Sequence, residues 1–166
     1  KNNVNVRFNI IGYKDVCDRR CYEHPYNCPI TCTDSEWVQI SGFTEKSSDI
    51  ADFLKTVSAV GGGDSPEDLF GALQLATMEP WREDAKRVVV VISDAPPHGD
   101  QFSKRRSNTP NYPLPYDGAK LPEDIASDLR KNKIQVFMLY VEDNTLEKTA
   151  DFLEENEVVT QVTSMV

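Results

Sequence analysis

Val88 to Ile92 are five consecutive β-branched residues, and the run ends in Ser93-Asp94-Ala95-Pro96-Pro97. A short, unbroken apolar run of this kind reads as a strand covered on both faces, the pattern of a parallel sheet. The segments around it fit the same scheme. Val4, Val6, Phe8 and Ile10 alternate with polar residues, so residues 4–13 read as a strand with one face buried, and Trp37 to Phe43 reads as its hairpin partner. Ile50, Phe53, Leu54 and Val57 stand at helical spacing within 48–60, with Ser47 or Ser48 as N-cap and Gly61 as the stop. A second helix is expected from Ser65, with Pro66 in its first turn and Leu69, Ala72, Leu73 and Ala76 as its inward stripe.

Beyond the β-branched run, residues 96–120 hold five of the ten prolines and read as a long loop. A helix near 121–132, a strand over Ile134–Val141, a helix near 145–155 and a short strand near 158–162 follow. Strands alternating with helices give an α/β fold, a doubly wound and mostly parallel sheet with helices on both faces. At 166 residues this is one domain, residues 1–166, with no internal repeat.

Composition narrows the partners. The net charge is −9, so a basic face for nucleic acid is not expected, and Lys104-Arg105-Arg106 reads as a solvated turn. No apolar run is long enough to span a membrane. The chain opens without Met, so the lack of a leader carries no information on compartment.

Two oxygen-rich segments lie where α/β sheets bind ligands, beyond the carboxyl ends of strands. One is Gly61-Gly62-Gly63-Asp64-Ser65-Pro66-Glu67-Asp68, the other is the tip carrying Asp94. Asp64, Ser65, Glu67 and Asp94 offer the carboxylate and hydroxyl oxygens that Mg2+ or Ca2+ prefers. Helix capping by Ser65 and Asp68, with a tight glycine turn, accounts for the same residues without an ion. His98, four residues past Asp94, is either a loop-packing residue or a general base beside Ser93 or Ser65. No Walker motif, nucleophile elbow or kinase catalytic motif occurs.

Together, VRFNIIGYKD (6–15), GGGDSPEDLFGAL (61–73), VVVISDAPPHG (89–99) and YPLPYDG (112–118) resemble a von Willebrand factor type A domain. The subgroup is the one with Gly-Gly-Gly-Asp-x-Pro-Glu-Asp, found with alpha-kinases and related to the integrin β I-like domains. The resemblance implies a Rossmann-like fold and a metal-ion-dependent adhesion site (MIDAS), where an acidic residue of a protein ligand completes the ion's shell. On it, Ser65 stands for the second-loop threonine, Asp94 for the third-loop aspartate and Glu67 for a directly ligating glutamate. The resemblance also offers His98 as a residue lining the ion site, since the subgroup carries a similar Ala-Pro-x-His-Gly. The family's opening strand and its Asp-x-Ser-x-Ser are not evident. The domain is therefore expected to be incomplete at its N-terminal side, lacking a central strand that an upstream segment or another chain supplies. Ion binding by this chain alone is expected to be weak. The implied function is a protein-binding or adhesion module of a larger protein, not an enzyme. The alternatives are a metal-independent assembly domain and, more remotely, a hydrolase using Asp94 and His98.

The four cysteines fall within residues 16–35, an insertion between the two hairpin strands: Cys17, Cys21, Cys28 and Cys32. Their symmetric spacing suits two nested disulfides, Cys17–Cys32 and Cys21–Cys28. It also suits a zinc knot with His24 as a substitute ligand, the less favoured option. Disulfides imply an extracellular or cell-surface setting, and the alternative is cytoplasmic. Intact-mass measurement with and without reductant separates the two. A gain of four hydrogens on reduction is expected for two bridges, and no gain would remove them.

Overall fold

A computed structural model of the protein describes residues 5–15, 37–57, 66–99, 101–102, 118–141 and 144–165. Its elements run β1 (Ile11–Tyr13), β2 (Val38–Ile40), α1 (Ser47–Leu54), α2 (Leu69–Met78), β3 (Arg87–Ser93), α3 (Pro122–Lys131), β4 (Ile134–Val141), α4 (Asn144–Glu155) and β5 (Val159–Met165). The α/β class follows from the alternation, as expected.

β3, β4 and β5 form a parallel sheet in that order, with Val88 opposite Gln135 and Ser93 opposite Tyr140. Because the order advances in one direction, right-handed crossovers place α3 and α4 on the same face. The core lies there. Val91, Val136 and Met138 meet Leu69, Phe70 and Leu73 of α2, Ile125, Ala126 and Leu129 of α3, and Leu146, Ala150 and Leu153 of α4. Phe102 closes it, with ring centroids 5.0 Å from Phe70 and 5.3 Å from Phe152. The cover expected on both faces of the β-branched run is therefore found on one. Val88, Val90 and Ile92 point away from the helices, and Ile92 is 67% exposed.

β1 and β2 pair antiparallel, as the hairpin reading expects, with Ile11 opposite Ile40. The regular ladder is shorter than residues 4–13 because the register slips. Phe8 bridges Thr44, one residue out of step with Ile11–Ile40, and Gly42 takes up the extra residue at a φ of 74°. The expected burial of Val6 and Phe8 is also absent, and both lie about half exposed.

Three helix boundaries differ from the sequence expectation. α1 ends at Leu54 and buries none of its residues. Its N-cap position is Lys46 rather than Ser47 or Ser48, and no cap side chain bonds there. The Thr44 hydroxyl does that work, accepting from the Lys46 N–H and donating to Asp49 Oδ2 at 2.7 Å. α2 begins at Leu69, not Ser65, because Asp68 is the N-cap and its Oδ1 accepts from the Gly71 N–H at 2.9 Å. Its predicted stripe of Leu69, Ala72, Leu73 and Ala76 is buried. α3 carries Pro122, Glu123 and Asp124 in its first turn and Arg130 and Lys131 in its last, a distribution matched to the helix dipole. β5 extends to Met165, past the expected end near 162.

One-sided packing has a measurable consequence. Leu129→Ala, at a fully buried position, is expected to cost about 2–5 kcal/mol in urea denaturation. Ile92→Ala is expected to cost no more than about 0.5 kcal/mol.

Candidate functional site

Parallel strands end their ladder with carbonyls and loop starts at one edge, and here that edge gathers Tyr13, Glu67, Asp68, Ser93 and Asp94. β3 delivers Ser93 and Asp94 at its tip. The Glu67 N–H donates to the Pro96 carbonyl at 3.0 Å, and Glu67 forms a parallel bridge with Pro97. This short bridge joins the segment before α2 to the loop after β3. The two sequence segments singled out for cation chemistry are thus tied through backbone, independent of any ion.

Tyr13, the last residue of β1, donates from its hydroxyl to Ser93 Oγ at 3.1 Å, and Ser93 Oγ donates in turn to the Ala95 carbonyl at 2.9 Å. Enclosure of the phenol pushes its pKa up from 10.0 to about 12. The Ser93 contact works the other way, since that hydroxyl can turn to donate to a phenolate. The carboxylates of Glu67, Asp94 and Asp68 each add to the rise. Three acidic groups from two separate segments therefore act on one phenol.

Their availability differs. Asp94 is exposed and Glu67 partly so, whereas Asp68 is buried and caps α2. Asp64 and Ser65 lie outside the described residues, as do Cys17, Cys21, Cys28, Cys32 and His24. Among the described residues no group of three or more His, Cys, Asp or Glu is placed to hold a metal ion. Glu67 and Asp94 suit a hard cation chemically, but two carboxylates fall short of the six or more oxygens that Ca2+ takes.

His98 is fully buried, and its Nε2 lies 2.8 Å from Asp15 Oδ1, also buried. This pair fastens the loop after β3 to the residues just past β1. The geometry fits the packing role rather than a general base at the rim. Sequence reasoning assigned no role to Tyr13 or Asp15, whereas it named Asp68 as a helix cap, and Asp68 caps α2. The signal for Asp15 was present, in a carboxylate directly ending a strand segment in a chain with only two histidines.

The raised phenol makes a signed prediction. The folded state holds the Tyr13 proton more tightly than the unfolded chain, so its contribution to stability is complete below pH 10 and is lost as pH rises through about 12. Phenolate absorbance titration is expected to show one late-titrating tyrosine that Tyr13→Phe removes. The same variant is expected to flatten the fall in stability over that window.

No family model matches the sequence. The chain is 29% identical over 112 residues to the alpha-protein kinase vwkA of Dictyostelium discoideum. The match takes in 68% of this chain and 17% of that protein, so the chain spans about a sixth of its relative's length. A search of solved structures returns the crystal structure of the SpRpn10 VWA domain, with a TM-score of 0.48 and 12% identity over 79% of this chain and 60% of that one. The resemblance drawn from the motifs, to a von Willebrand factor type A domain of the group found with alpha-kinases, stands.

Proposed function

We propose that this von Willebrand A-like domain is a protein-binding module of a larger protein, and that it engages its ligand at the carboxyl end of β3. The backbone bridge of Glu67 to Pro97, which sets the segment of Glu67 beside the loop that carries Asp94, carries this reading. The backbone bridge sets the spacing of the two loops before a partner docks, which limits the ordering cost of binding. In this proposal Glu67 and Asp94, with Ser65 and Asp64, hold Mg2+ or Ca2+ weakly. When bound, the ion offers a positive site to an acidic residue of the ligand. The chain's own part is to fix the two carboxylates and to keep the His98–Asp15 pair locked beneath them. Catalysis is not part of the proposal, and a kinase activity in the relative is a property of that whole protein.

A second reading has one observation in its favour. The described carboxylates do not form a group of three, and Asp68 is committed to its helix cap. On that reading the domain assembles with its partner without metal. The two are separated by titrating MgCl2 and CaCl2 into the protein in a calorimeter. Weak binding, with Kd on the order of 10⁻³ M, is expected, lost in the Asp94→Asn and Glu67→Gln variants. No heat in the wild type, or equal heat in all three proteins, would leave the metal-independent reading.

A further inference from the structure

The loop that follows β3 has few amides of its own to anchor it, because Pro96 and Pro97 carry no N–H. Other segments hold it at its start, its middle and its end. At the start, Ser93 Oγ accepts from the Tyr13 hydroxyl at 3.1 Å and donates to the Ala95 carbonyl at 2.9 Å, closing the first turn on itself. In the middle, the Pro96 carbonyl accepts from the Glu67 N–H at 3.0 Å. At the end, His98 Nε2 meets Asp15 Oδ1 at 2.8 Å. Between these ties the loop is sunk into the protein. Ser93, Pro96, Pro97 and His98 are buried and Ala95 is intermediate, so Asp94 is the exposed residue of the stretch 93–98.

The ties at the two ends come from one place. Tyr13 ends β1, and its pairing with the β2 side continues one step further, where the Lys14 N–H donates to the Trp37 carbonyl at 2.9 Å. Side chains alternate along an extended chain, so Tyr13 and Asp15, at i and i+2, reach the same side. One strand end therefore grips the loop at both of its ends. An ionised carboxylate only accepts, so against it His98 keeps its proton on Nε2 and the ring is fixed in orientation. The side chains of His98 and Asp15 are 0% and 1% exposed, and a bond shielded from water holds more firmly than one at the rim.

We propose that Tyr13 and Asp15 are positioning residues for Asp94: from the end of β1 they clamp both ends of loop 93–98 and leave Asp94 raised toward the ligand. Neither residue touches the ligand in this arrangement. Tyr13 acts through Ser93, and Asp15 acts through His98. The inference rests on the reading of Asp94 as a ligand-binding residue, and it adds which side chains set where that carboxylate stands. Freed at either end, the loop carries Asp94 through more positions, and binding then includes the cost of ordering it. The Glu67–Pro96 bond loosens at the same time, because its acceptor lies between the two grips.

The test uses the 166-residue protein with Tyr13→Phe, Asp15→Ala and Asp15→Asn, each checked for native circular dichroism. Amide exchange is read by nuclear magnetic resonance at Glu67, which reports the tie to Pro96, and along β4, which is paired on both edges. Tyr13→Phe and Asp15→Ala are each expected to speed exchange at Glu67 roughly tenfold or more and to leave β4 within about twofold. Asp15→Asn keeps a side-chain oxygen that accepts from Nε2–H, and is expected to hold Glu67 within about twofold of wild type. In calorimetry with MgCl2, the first two variants are expected to weaken the ion's Kd about threefold or more, and the third to keep it. Tyr13→Phe retains the ring and its packing, so it decides the clamp even where Asp15→Ala does not fold. Unchanged exchange at Glu67 in Tyr13→Phe, a rise that extends equally over β4, or failure of Asp15→Asn to keep the wild-type rate would overturn the proposal. So would an ion affinity that stays at the wild-type value while the loop loosens. No ion heat in the wild type sinks the metal reading alone, and the exchange rates still decide the clamp.

Discussion

A strand makes no hydrogen bonds within itself, so every parallel strand depends on what lies at its two edges. β3 satisfies one edge through β4 along its whole length, from Arg87 opposite Ile134 to Ser93 opposite Tyr140. That ladder fixes the face presented by Val89 and Val91 against the helices, and with it the common core of α2, α3 and α4. It also fixes the direction in which β3 ends, and so where Ser93 and Asp94 stand. Along its other edge β3 has no strand partner among the described residues, and Val88, Val90 and Ile92 are exposed.

The carboxyl end of the sheet is held by contacts between distant segments. Glu67 reaches Pro97 through backbone, Tyr13 reaches Ser93 through its hydroxyl, and His98 reaches Asp15 beneath the surface. Each contact joins segments far apart in sequence, and all three are anchored on residues within a few positions of Asp94. A face assembled this way is set by the fold before any ligand arrives. Asp68 illustrates how nearby acidic residues divide their tasks. It is buried at the start of α2, where its carboxylate meets the Gly71 N–H, whereas Glu67 is partly exposed and Asp94 exposed.

Much of this was legible in the residues. The run Val88–Ile92 announced a core strand, the spacing of Leu69, Ala72, Leu73 and Ala76 announced a buried stripe, and Pro122 with Glu123 and Asp124 announced a helix start. Local chemistry decides these, because propensity, capping and periodicity act within a few residues. Less legible were the choices between equivalent local solutions. Ser47, Ser48 and Ser65 are all good caps, yet Thr44 and Asp68 serve the two helices, because the register of β1 with β2 and the Glu67–Pro97 bridge place them first.

The sequence by itself determined the α/β class, the order of the elements, and the residue types at the end of β3 that make a hard cation or an acidic ligand chemically sensible. Only the tertiary structure decided which face of β3 is covered. Alternation cannot be seen in five consecutive β-branched residues, and cover depends on crossover handedness and on which neighbours are present. It also decided that His98 is held by Asp15 and that Tyr13 bonds to Ser93. Those partners lie about eighty residues apart along the chain, as the 83 positions between Asp15 and His98 illustrate. No local preference can report a contact that exists only once the sheets have brought the ends of β1 and β3 side by side.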